Sequence, residues 1–295
     1  MRLIRVLSIF ATAFLLFAPF AIAKTSVETT ARYPFYLAER GGAKIYILGS
    51  MHLGKPKAAL SGEIIDAFNR SSKLVMELSV KDMRRADEVV KKYICLDDCL
   101  RGQISKKAFE TLERDYSELS GYIAKFPAWL AATMLSTMDY MREGFFPYCG
   151  VESLLLNERG KIPVIGLETA EEQFDALAAL SIKSQKESLE DYLNLSAIER
   201  AKTINDTYQA YLIGDADALF KWYMTYDEQE RFSLSATEEF NKKLIFDRNK
   251  RLTERLLKQV DYEKPIFVTI GALHLGGDKG VLELLRKEGY RIKRL

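Results

Sequence analysis

The chain has 295 residues, of which 48% are hydrophobic and 28% charged. That mix excludes a disordered tail, a collagen-like repeat and a small disulfide-stapled module, and the length gives ample chain to bury a core. Lys plus Arg is 43 against 41 Asp plus Glu, a formal charge of +2. So even a balance argues against a nucleic-acid partner, which needs a basic face to neutralise phosphates.

Arg2 and Arg5 open the chain, and residues 3–22 are then almost wholly apolar, closing on Ala21-Ile22-Ala23. A positive start, an apolar run and small residues at the cleavage positions describe a secretory signal peptide over 1–23. Cleavage is expected after Ala23, and an uncleaved N-terminal anchor is the rival reading. The expectation is an exported protein, periplasmic or secreted. Removing the segment takes away two Arg and leaves basic and acidic side chains equal in number. No later stretch of the mature chain is long and uncharged enough to span a bilayer.

In chain order, residues 34–40 and 43–48 flank Gly41-Gly42 and read as a β-hairpin. A helix is predicted over 58–70 and a strand over 73–78. Cys95 and Cys99 bracket Leu96-Asp97-Asp98. Export permits disulfides, and these two can close a small loop. Pairing of Cys95 with Cys149, or three reduced thiols, are the alternatives. Helical spacing follows over 106–118, 127–142, 151–159, 171–179, 189–212, 215–223 and 237–260, with a strand at 162–167 among them. The chain closes with a strand at 265–270, a helix at 281–288 stopped by Gly289, and an edge strand at 290–295. Strands cluster towards the two ends. The predicted fold is α/β (α+β): one domain over 24–295, with a mixed central sheet from both terminal segments and a helical insertion of about 80–260.

The sequence contains two His, and their surroundings match. One copy is Ile45-Tyr46-Ile47-Leu48-Gly49-Ser50-Met51-His52-Leu53-Gly54, the other Phe267-Val268-Thr269-Ile270-Gly271-Ala272-Leu273-His274-Leu275-Gly276. Each is an apolar strand followed by Gly-x-x-His-Leu-Gly. Such a segment carries an imidazole to the carboxyl end of a strand, the edge where α/β sheets build sites. Gly49 and Gly271 are therefore candidate supports for the site. Glu77 and Glu168 sit at the ends of two other predicted strands, and carboxylates beside His suit metal ligation or acid/base work. Arg248 and Asn249 lie in a long helix and Glu152 begins another; all three can reach the same edge. Ser50 is a poor nucleophile candidate, because the second copy has Ala272 in its place and no Gly-x-Ser-x-Gly elbow is present. Nothing in the sequence supplies Cys149 with an activating partner.

Taken together, the paired Gly-x-x-His motifs, Glu77, Gly150-Val151-Glu152, the run Gly166-Leu167-Glu168-Thr169-Ala170-Glu171-Glu172-Gln173, Arg248-Asn249 and the closing Gly280-Val281-Leu282 to Gly289-Tyr290 resemble the TraB/GumN family over nearly the whole mature chain. One departure is Glu152, where the family pattern usually has Asp. Members related to the animal Tiki proteins are metal-dependent proteases. The resemblance therefore implies that His52 and His274 are central, with Glu77 and Glu168 as acidic partners.

The mechanism expected from this reading places a divalent cation (Mn, Co, Zn or Fe) on His52, His274 and one or both of Glu77 and Glu168. It would lower the pKa of a bound water towards ~7. Glu77 or Glu168 would take the proton and Arg248 would stabilise the oxyanion, on a peptide bond or a small ester or amide. A metal-independent alternative uses one His as base on water, as in the erythromycin-esterase-like proteins with a similar His/Glu set. A non-enzymatic alternative binds iron or haem in the periplasm.

Overall fold

A computed structural model describes residues 32–225 and 234–295. The signal-peptide expectation at 1–23 lies outside them. Six strands form one mixed sheet: β1 (Phe35–Arg40), β2 (Ala43–Ser50), β3 (Leu74–Leu78), β4 (Val164–Glu168), β5 (Ile266–Gly271) and β6 (Arg291–Arg294), in the spatial order β4-β3-β5-β2-β1-β6. β2, β5, β3 and β4 run parallel to one another, while β1 is antiparallel to both β2 and β6. All four parallel strands thus present their carboxyl ends at one edge. β3 and β5 are buried along their whole length, as strands covered on both faces must be. β6 is the edge strand expected from the sequence.

Successive side chains alternate between two cores. Leu48, Leu74, Met76 and Phe267 join the larger one, which is filled from the other side by Leu135, Leu189, Tyr192 and Phe240 of the helical insertion. Ile47, Val75, Val268 and Ile270 join the smaller one with Leu252, Leu256, Val281 and Leu285. The sheet is therefore the middle of three layers.

The helices run α1 (Gly62–Asn69), α2 (Val80–Val90), α3 (Lys106–Asp115), α4 (Ser120–Ile123), α5 (Ala128–Arg142), α6 (Val151–Glu158), α7 (Ala170–Ala178), α8 (Ile182–Asn194), α9 (Ala197–Leu212), α10 (Ala216–Thr225), α11 (Leu234–Phe240), α12 (Asp247–Leu257) and α13 (Val281–Lys287). Four places differ from the sequence reading, the short α4 being one that was not expected. The helix expected over 189–212 is two, because Ser196 starts α9 with a capping box: its hydroxyl accepts from Glu199 N, and the Glu199 carboxylate accepts from Ser196 N. α2 was not expected; only its Ala86 and Val89 are buried, too thin a stripe to read as a period. The helix expected over 237–260 contains a wider, π-helical turn, Asn241–Phe246, between α11 and α12. Cys95 and Cys99 are disulfide-bonded, and Cys149 is a buried free thiol. Among the described residues, no helix is long and apolar enough to cross a membrane.

Candidate functional site

The two Gly-x-x-His segments leave neighbouring parallel strands, β2 and β5, with Ser50 paired to Gly271. Both imidazoles are therefore delivered to the same carboxyl edge. Their fates differ, because different elements receive them.

The segment after β2 is clamped by the chain that leads into α6. Gly54 and Phe146 form an isolated antiparallel bridge, and Val151 N donates to Met51 O at 3.2 Å. Two glycines make this approach possible. A Cβ on Gly54 would lie 2.0 Å from Cys149 O, and one on Gly150 would lie 2.0 Å from His52 O. The clamp sets the first turn of α6 against the His52 ring, and Glu152 Oε1 stands 2.7 Å from His52 Nδ1. Burial alone would disfavour charge on His52. The Glu152 carboxylate, its hydrogen bond and the more distant Glu77 outweigh burial and hold the imidazole pKa above its ordinary value. Burial would also raise Glu152, but His52 and the nearby Ser50 hydroxyl win and hold its pKa below the usual carboxylate value.

His274 ends a 3-10 turn that follows β5 directly, and it is fully buried. Its Nδ1 is 2.5 Å from Asn249 Oδ1. Asn249 Nδ2 donates to Lys279 O at 2.8 Å, which fixes the amide so that its oxygen faces the ring. Nδ1 must then carry the proton, and Nε2 holds a lone pair directed at Arg248 Nη1, 3.3 Å away. Burial, the Arg248 charge and the charge on His52 hold the His274 pKa well below its ordinary value, so the ring is neutral.

Arg248 and Asn249 are consecutive on α12, just after the π-helical turn. Arg248 is 2% exposed, and its guanidinium is surrounded by acceptors. Nη2 donates to Glu168 Oε2 at 2.6 Å and to Glu77 Oε2 at 2.7 Å; Nε reaches both Glu168 oxygens at 3.1 and 3.2 Å. Burial opposes the charge, yet Glu168 and Glu77 raise the Arg248 pKa further above its ordinary value. Glu77 Oε1 also accepts from Gly271 N at 2.7 Å, tying β3 to β5 where the second motif begins.

The structure thus gathers Glu77, Glu168, Arg248, Asn249, His274 and Gly271 into one hydrogen-bonded cluster. His52 and Glu152 form a second pair at the same edge. Gly49 stays outside it: its N–H donates to Pro34 O and its carbonyl accepts from the Tyr211 hydroxyl. Sequence reasoning gave no role to two residues that touch the cluster. Gln173 Nε2 donates to Glu77 Oε2 at 3.2 Å, and Arg251 Nη2 lies 3.6 Å from Glu168 Oε1. The usable signal for Gln173 was its place early in the helix that starts two residues after Glu168.

The expected metal ligands are not arranged for a metal. Among the described residues, no group of three or more His, Cys, Asp or Glu side chains is placed to hold an ion. Glu77, Glu168 and His274 instead surround a guanidinium, and His52 turns Nδ1 to Glu152.

A model of the TraB/PrgY/gumN family matches residues 34–294. A protein described as a Metalloprotease TIKI homolog from Nematostella vectensis is 24% identical over 213 residues, which is 65% of this chain and 44% of that protein. The chain therefore spans less than half the length of this relative. No solved structure matches the chain.

Proposed function

The chain belongs to the TraB/PrgY/gumN family, and from that premise we propose that it is a hydrolase that cleaves peptide bonds with water. The carrying observation is the division of labour between its two histidines. His274 is fully buried, neutral and locked in one tautomer, whereas the His52 side chain is 11% exposed and paired with the Glu152 carboxylate, itself 15% exposed. Pairs of titratable groups whose surroundings push their pKa values apart mark acid/base roles.

In the proposed reaction, neutral His52 gives its Nδ1–H to Glu152, which orients the ring. Nε2 removes a proton from water as the oxygen adds to the substrate carbonyl carbon. The imidazolium then returns that proton to the amide nitrogen as the C–N bond breaks. Glu152 stabilises the imidazolium between the two steps. A pKa held above its ordinary value makes Nε2 a stronger base when His52 is neutral. The N–H groups of Arg248 face Glu168, Glu77 and His274, so the proposal gives Arg248 a positioning role: it holds both carboxylates in place beside the reacting edge.

Activity on a fluorogenic peptide library tests this. His52→Ala and Glu152→Gln should each lower kcat by about 10²-fold or more, the range for a positioned acid/base. Unchanged turnover in His52→Ala would overturn the reading. A metal-dependent version is supported by the similarity to the Nematostella metalloprotease homolog. Exhaustive chelation separates the two, since activity that survives it belongs to the His52–Glu152 route. Export remains part of the proposal, and N-terminal sequencing of the protein recovered from the cell envelope or medium should begin at Lys24.

A further inference from the structure

We infer that Ser50 is a positioning residue for the proposed reaction: its buried hydroxyl donates to Glu152 Oε2 and so fixes the carboxylate whose other oxygen orients His52. The inference deepens the proposed hydrolase and rests on it for the role of His52. One arm of its test reads the His52 ring and not turnover, so the two can fail separately.

A partner orients a histidine ring only when its own far atom is held. His274 shows the completed case. Asn249 Oδ1 faces the ring, and Asn249 Nδ2 is pinned on Lys279 O at 2.8 Å. For His52 the partner is Glu152, with Oε1 2.7 Å from Nδ1. The far oxygen, Oε2, is buried short of a closed hydrogen bond, and so is Ser50 Oγ. A buried acceptor and a buried donor held apart each carry a desolvation cost, which joining them removes.

The neighbourhood favours Ser50 as the donor. The Ser50 hydroxyl acts on the Glu152 carboxylate in favour of its charged form, beside His52 and Glu152's own N–H. The Tyr211 hydroxyl also feels the Glu152 charge, but it is committed to Gly49 O at 2.9 Å. The two motif copies differ where this role requires it. Ser50 follows the first motif glycine, and Ala272 follows the second. The copy whose histidine faces a carboxylate keeps a hydroxyl; the copy whose partner is already held by Lys279 O does without. Ser50 is 1% exposed, so it holds Glu152 without touching substrate. Its loss frees the carboxylate to turn about its last bond, and His52 Nε2 loses its aim at the water. The effect therefore falls on kcat and not on KM.

The experiment uses the full chain. Ser50→Ala installs the residue of the second copy, and Ser50→Cys keeps the bulk with a weak donor. Both should lower kcat on the peptide library by about tenfold, the worth of one hydrogen bond to a charged group, with KM unchanged. Ser50→Thr should restore kcat. In a Glu152→Gln background, Ser50→Ala should cost nothing further, because residues that act as a unit are not additive. Thr269→Val is the control: its hydroxyl is also buried without a bond, on the neighbouring strand opposite Leu48, and its removal should leave kcat unchanged. The chain has two His, so His52→Ala tells the two ring signals apart in a ¹H–¹⁵N spectrum. Ser50→Ala should shift the His52 signal and leave that of His274 in place. The inference is overturned if Ser50→Ala keeps the wild-type kcat or leaves the His52 signal unmoved. It is equally overturned if its loss multiplies with that of Glu152→Gln, if Ser50→Thr is no better than Ser50→Ala, if Thr269→Val reproduces the loss, or if neither Ser50→Ala nor Ser50→Cys folds. Should wild type cleave no peptide, the proposed function fails and the ring signal alone decides this inference.

Discussion

At the scale of single residues, the two histidines pull stability in opposite directions with pH. His52 has a folded pKa above its unfolded value near 6.5, so the Glu152 pairing contributes fully below that pH and fades as pH rises through the folded pKa. His274 has a folded pKa well below its unfolded value. Above about 6.5 it is neutral in both states, and below that the unfolded chain takes a proton that the folded chain refuses, so stability falls. Urea denaturation across pH ~5 to ~8 should therefore show two separable effects. His274→Gln should narrow the loss of stability on the acid side. Glu152→Gln should flatten the decline that sets in as pH rises above ~6.5. Identical pH curves for wild type and both variants would contradict these assignments. The reach of the sequence is clear at this scale. Matched frames identified both imidazoles, and strand ends identified Glu77 and Glu168. That Arg248 stands among the would-be ligands was not legible, because it depends on how α12 docks across the sheet from a segment 26 residues away from His274. Glu152 was legible as a helix-start acid; its grip on His52 depends on a clamp between the segment after β2 and the start of α6, which no local pattern encodes.

At the scale of elements, most strands and helices were legible because their apolar periods are strong. The misses have local causes. Ser196 divides a long apolar pattern by capping, and Ser196→Ala should lower stability by about 1 kcal/mol, measured by urea denaturation, with the fold retained. The π-helical turn is invisible to a period of 3.6, yet its wider winding precedes Arg248 and Asn249 directly, and such turns recur at functional sites. The clamp gives the sharper prediction. Gly150→Ala would press a Cβ against the His52 carbonyl backbone, which cannot yield as a flexible side chain would. The expected outcome is a folded protein, shown by an unchanged circular dichroism spectrum, with a lowered Tm and a displaced His52. Its peptide hydrolysis should fall as in Glu152→Gln. Full stability in Gly150→Ala would show that the two segments can part without loss.

At the scale of the whole molecule, the sequence reading of strands near both ends and helices between them is the architecture seen, because the sheet takes β1, β2, β5 and β6 from the flanks and receives β3 and β4 between them. What the reading lacked was the strand order, in which β5 is inserted between β2 and β3 and so brings the two His segments side by side. The same arrangement puts the first and last strands in contact: Tyr36 pairs with Arg294, and Leu295 N donates to Phe35 O at 2.9 Å. A short glycine bridge from Leu295 to Tyr33 would therefore turn β6 and β1 into an ordinary hairpin. The exposed turn at Gly41-Gly42 could then be cut to give a rewired chain starting at β2. Such a circular permutant should fold and keep the reacting edge intact, since that edge takes nothing from the severed turn; a melting curve beside that of residues 32–295 is the comparison to make.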